Sequence, residues 1–342
     1  MHIYEYLFTA IIIFFILVAS STMISSMPQP SLSVSEKEQL KVATQKILTQ
    51  LILNTGDPPD WGSNTALDAP AAFGLAKHGE TTRDAFVLDP DKVQRLSSAN
   101  PLYVTPQTVA NLLNLGNDYG FTIEFRQALT VELEQTGTAD YNIQVTSDQN
   151  SLPIANVNVT AKAFYYANNQ FACTGQASAV TSIDGRCSIS FTDLPQQTQA
   201  QVLLVTVDYY GTRIVKTAVT GQIEQAALIG NHIVMNTQPN QVESTAHQVL
   251  VYKTATGYAL TSVTSSFTQD SNMLSLDYAE PSAVATITFA DGKAILAAKT
   301  VPQRYSTIPG ATSVPFAYTV ERSVTINGEA YTLQLRVWRM SW

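Results

Sequence analysis

Charge is scarce in this 342-residue chain: Asp, Glu, Lys and Arg make up 13 per cent of it, about half the usual share for a globular protein. The balance is acidic, with a net charge of -8, and no basic stripe is present. Nucleic acid is therefore excluded as a partner, because nothing would release phosphate counterions. Histidine is equally sparse. His2, His78, His232 and His247 stand far apart, without an HExxH motif or a Cys/His cluster, so the sequence predicts no metal and no cofactor. Neither a Walker loop nor a G-x-S-x-G elbow occurs, and no catalytic residue is assigned. Cysteine is limited to Cys173 and Cys187.

What is abundant is apolar length near the start. An uncharged run extends from Tyr6 to Ile24, after a short head in which Glu5 is the only ionised side chain and His2 is mostly neutral. At a rise of about 1.5 Å per residue such a run approaches the roughly 30 Å of a bilayer core. The expectation is a single-pass transmembrane helix over residues 1–27, with the lipid bilayer as a partner and the rest of the chain extracellular. Cleavage after Val18-Ala19-Ser20 is the alternative, weakened by the missing basic n-region. A third reading makes the run a packing helix.

Composition and period then divide the chain. Pro28-Gln29-Pro30 ends any continuous helix, and residues 28–54 read as a spacer followed by an amphipathic helix. Ser35 and Glu38 have capping-box spacing, while Leu40, Ala43, Ile47 and Leu51 form one stripe. Residues 55–137 read as an α+β domain. Asp89-Pro90-Asp91 and Thr105-Pro106 open short helices, and Phe121, Ile123 and Phe125 alternate as a strand.

From Asp140 the period changes to two. Strands are expected over Tyr141–Thr146, Val157–Tyr165, Cys187–Phe191, Val202–Tyr209 and Ile214–Thr220, giving a β-sandwich across 138–237. A polar junction at Thr237-Gln238-Pro239-Asn240 leads to a C-terminal β-domain, 238–342. Its turns are expected at Asp291-Gly292 and Asn327-Gly328, and Leu333, Leu335 and Val337 alternate in its last strand. The fold class predicted is thus a transmembrane helix, an α+β domain and two mainly antiparallel β-sandwich-like domains.

Several residues carry candidate roles. Cys173 and Cys187 flank the Asp184-Gly185 turn and suit either a cross-strand disulfide or two buried thiols. Asn158-Val159-Thr160 matches an N-glycosylation acceptor. Asp57, Asp60 and Trp61 form the most plausible ligand region, for calcium or a stacked sugar, against the simpler reading of turn chemistry. Of the carboxylate pairs, Asp89 with Asp91 suits a helix start, and Glu132 with Glu134 lies two apart on a strand. Lys162 and Lys216 suggest isopeptide chemistry, but solvated strand lysines are several times commoner.

The head of the chain resembles a mature type IV pilin, in which a fifth-position glutamate meets the terminal amine of a neighbouring subunit; Glu5 would make that contact. Trp61-Gly62, Phe73-Gly74-Leu75-Ala76, Leu88/Lys92/Leu96, Tyr103, Leu115-Gly116 and Tyr119-Gly120-Phe121 resemble a module of archaeal membrane-anchored, pilin-like surface proteins. The stretch from Ile154 through Cys187 is similar to the prealbumin-like or immunoglobulin-like repeats of microbial exported proteins. These resemblances imply a non-enzymatic cell-surface structural or interaction protein, assembling with copies of itself or other pilin-like subunits. The alternative is an envelope-bound protein that binds surface glycans, or a hydrolase.

Overall fold

The computed structural model describes residues 11–18, 20, 34–79, 86–116, 118–148, 150–168, 170–210, 212–221, 223–235, 246–254, 257–265, 268–270, 273–275, 283–290, 293–308 and 316–340. Glu5, Pro28–Pro30, the 237–240 junction and the Asp291-Gly292 turn lie outside these residues.

Among the described residues no helix is long and apolar enough to cross a membrane. The single-pass transmembrane helix, and the membrane localisation that rested on it, are therefore corrected. Within Tyr6–Ile24 the described helical residues are 11–18 and 20. The longest helix among the described residues, Val34–Leu53, carries Glu36, Lys37, Glu38, Lys41 and Lys46 and lies on a domain, burying Leu40, Thr44, Ile47, Leu48, Leu51 and Ile52. Thr44 is tolerated inside because its hydroxyl donates to the Leu40 carbonyl at 2.7 Å.

That helix packs on a five-stranded sheet ordered Val87–Leu88, Tyr318–Ile326, Glu329–Arg339, Tyr119–Gln127, Arg304–Ser306. The first pair is parallel and the others are antiparallel. Here the domain sequence expected from the chain is revised. The last strands belong to the α+β unit: Phe121, Ile123 and Phe125 lie opposite Val337, Leu335 and Leu333, and all six share a core with Leu51, Trp61, Phe73 and Val109. Alternation in Tyr331–Val337 fixed which side would be buried, and the partner came from two hundred residues upstream. We call this the framework unit. Asn327 and Gly328 close its last hairpin with φ of 52° and 78°, as a primed turn requires.

Two further units are inserted between its halves. The first is a sandwich. One sheet orders Thr212–Gly221, Ala200–Tyr209, Asn158–Ala167 and Gln170–Cys173, with Ala177–Val180 also on Asn158–Ala167; the other orders Leu129–Gln135, Asp140–Ser147 and Arg186–Ser190. Val131, Ile143, Val145, Val159, Ala161, Leu203, Val205 and Val207 meet between them. Gly185, at φ 72°, turns the chain into the Arg186 strand with no room for a side chain against the Val145 carbonyl.

The second insert is an eight-stranded sheet: Gly257–Ser265, Ala246–Thr254, Ala283–Ala290, Lys293–Ala298, Ile223–Ile229, His232–Val234, Met273–Ser275, Thr268–Asp270. Its parallel pair joins Ile223–Ile229 to Lys293–Ala298. Ala227, Ile229 and Val234 pack toward Leu102 of the framework, while Leu228, Ile233, Leu274 and Ile295 form a separate cluster.

Candidate functional site at the junction of the three units

The short helix Pro90–Gln94 organises the junction. Asp89 caps it by accepting from the Asp91 amide at 2.9 Å, and Pro90 occupies the first turn, where a missing N–H costs nothing. So short a helix wedged into a core must bury its charged side chains. Lys92 is 0% exposed, and its Nζ donates to the carbonyls of Thr55 and Ala76, both at 2.8 Å, with Asp89 Oδ2 at 3.8 Å.

Arg95 follows the same logic. Its guanidinium donates to the carbonyls of Trp61 at 2.6 Å, Asn64 at 3.4 Å, Asp68 at 3.0 Å and Leu102 at 3.0 Å, and also to that of Leu67. It lies over the Trp61 ring, 5.5 Å from the centroid. The loop 61–68 has few partners for its own carbonyls, and one planar fork supplies them.

Asp91 and Gln94 reach across to the eight-stranded sheet. Asp91 Oδ2 accepts from Lys299 Nζ at 3.0 Å, and Oδ1 from Gln94 at 2.9 Å and the Gly230 amide at 3.3 Å. Gln94 also donates to the Leu228 carbonyl at 2.7 Å, and its own buried Oε1 has no partner among the described residues. Burial shifts Asp89, Lys92 and Arg95 toward neutrality. It raises the Asp89 carboxyl, helped by Asp91 and opposed by Lys92, and it lowers Lys92 and Arg95, opposed by nearby carboxylates. A depressed lysine can serve as a nucleophile. Lys92, however, is sealed from solvent and engaged with two carbonyls, so its geometry is that of a tie.

Beside this lock lies a cleft of 800 Å³ where all three units meet. Arg126, Glu124 and Glu329 line it from the framework, Lys216 and Asp148 from the sandwich, and Lys299 from the end of the large sheet. Two of its charges pair with each other, and a third is held by neutral donors. Glu124 accepts from Arg126 at 2.8 Å, and Glu329 from Gln127 at 3.1 Å and Tyr331 at 3.0 Å. Among the described residues, no group of three or more His, Cys, Asp or Glu side chains is placed to hold a metal ion. No protein family matches the chain, and no curated protein matches it.

The residues singled out from sequence are scattered. Trp61 is fully buried against Phe73, donating its indole N–H to the Gly74 carbonyl at 3.1 Å, and it offers no ring face to a sugar. Asp57 and Asp60 stay exposed on the loop before it, where Asp57 pairs by backbone with Ala72. Cys173 and Cys187 are free thiols on strands of opposite sheets, the first exposed and the second half-buried, its thiol pushed up by burial. Asn158 is exposed and lines a separate groove of 530 Å³ with Lys162, Asp208 and Arg213. Glu132 and Glu134 face solvent. Lys92, Arg95, Gln94 and Lys299 were not legible as a set, because long polar side chains on a short Pro-started helix read as a solvated face.

Proposed function

We propose that this chain is a non-enzymatic structural protein that assembles with copies of itself, its locked three-unit body presented on an apolar helix. The observation that carries this reading is the state of Ile11–Val18. Eight consecutive apolar residues are helical, and each is exposed, from 44% at Ile11 to 67% at Phe15. Exposure on every side means that, among the described residues, no face of this helix is covered by its own chain. A helix apolar all round is stable only when surrounded, which equivalent helices of neighbouring copies would accomplish. The resemblance to pilin-like subunits supports the same assembly. The buried lock also fits a subunit that must keep one shape within an assembly, since its ion pairs and carbonyl ties hold the units in one arrangement.

Sedimentation velocity of the full chain against a Phe14→Ser/Phe15→Ser variant tests this. Wild type is expected to sediment as assemblies of many copies, and the variant to fall to much smaller species with unchanged circular dichroism. Identical sedimentation of the two would overturn the proposal.

A further inference from the structure

Nine strands end a sheet with one side unpaired by a strand among the described residues, and eight of them are blunted in recognised ways. Val87–Leu88, Arg304–Ser306, Thr268–Asp270, Gln170–Cys173 and Ala177–Val180 have four residues or fewer. Thr212–Gly221 carries Arg213 and Lys216, Leu129–Gln135 carries Glu132 and Glu134, and Arg186–Ser190 carries Arg186. The exception is Gly257–Ser265. It has nine residues, GYALTSVTS, with no charge and no proline, and it is held in unbroken register by Ala246–Thr254. Among the described residues it pairs with no other strand.

We propose that this edge is a dyad interface, where Gly257–Ser265 pairs antiparallel with the same strand of a second copy and joins two eight-stranded sheets into one. The hydrogen-bond phase supports it. Thr254 lies opposite Gly257 across two intervening residues, and a hairpin of that length closes on a hydrogen-bonded pair. Alternation then turns the backbone groups of Tyr258, Leu260, Ser262 and Thr264 toward the free edge. A two-fold axis at Thr261 sets Leu260 against Ser262 and Tyr258 against Thr264, so all four outward residues meet outward residues. The sequence agrees with the same register. Ala259 falls opposite Val263, Thr261 opposite itself, and no like charges meet.

This interface deepens the self-assembly reading, and its test is arranged to stand apart from the helix. In the Phe14→Ser/Phe15→Ser background, with Cys173→Ser and Cys187→Ser to remove the native thiols, Thr261→Cys is expected to form a covalent dimer on oxidation. The dyad brings the two residues within disulfide range. Tyr258→Cys, which faces Thr264 and not itself, should give none. In the same helix background but with Thr261 intact, Leu260→Lys should halve the sedimenting mass relative to the parent. A parent that is monomeric at all concentrations, with no Thr261→Cys dimer, would overturn the interface while leaving the helix assembly unaffected. So would a monomer that takes up an unrelated extended peptide along this edge.

Discussion

The sandwich and the framework unit bury their cores by opposite means. Between the sandwich sheets lie aliphatic side chains from strands joined mostly by short turns, with Tyr141 among the few polar groups, raised by burial and hydrogen-bonded to Gln201. The framework joins residues from Leu40 to Val337 and encloses Lys92 and Arg95 completely. A core made of neighbouring hairpins can rely on apolar area alone. One whose loops are drawn inside must bring donors for their carbonyls, and that need places two cations where hydrophobic side chains would otherwise pack.

This contrast can be broken from either side. The largest effect is expected from Arg95→Ala, which strips the carbonyls of Trp61, Asn64, Leu67, Asp68 and Leu102 of a donor and should cost about 4 kcal/mol. Urea denaturation followed by Trp fluorescence reads it, because Trp61 reports on the same loop. In the sandwich, Leu203→Ala leaves an apolar cavity and should cost about 3 kcal/mol, with loss of protection centred on Ala200–Tyr209. Were the Leu203 variant to loosen the framework equally, the two cores would be one cooperative unit.

Smaller changes sharpen the comparison. Thr105 caps the helix Pro106–Leu112 by accepting from the Thr108 amide, and Thr105→Ala should lower stability by about 1 kcal/mol in thermal unfolding. The buried lysine gives a pH signature instead of a single number. Lys92 titrates below its ordinary 10.5 in the fold because burial disfavours its charge, so at alkaline pH the unfolded chain binds more protons there than the native one. Lys92 therefore contributes stability that rises as pH climbs toward 10.5. Lys92→Met should remove that slope; parallel pH profiles for the two proteins would contradict it.

The strands between residues 140 and 221 were largely legible from sequence because their signals are local. Period-two alternation from Tyr141 to Thr220 and the Asp184-Gly185 turn fix strand, face and register within a few residues of one another. Helix starts at Asp89-Pro90 and Thr105-Pro106 were readable for the same reason. The framework was not. Leu333, Leu335 and Val337 announce a buried face without naming its partner, which lies near Phe121–Phe125 in space but far away in the chain. Trp61 beside two aspartates reads as a surface feature, yet the loop folds inward and Arg95 satisfies its carbonyls. A lysine in a short helix likewise looks solvated until the carbonyls above it are counted.

Native-state hydrogen exchange on Arg95→Ala tests the central contrast most directly. Amides of Tyr119–Gln127 and Glu329–Arg339 are expected to lose protection together, by the same factor, although roughly two hundred residues separate them. Those of Asn158–Ala167 and Ala200–Tyr209 should keep theirs. Equal loss of protection in the framework strands and the sandwich strands would contradict it.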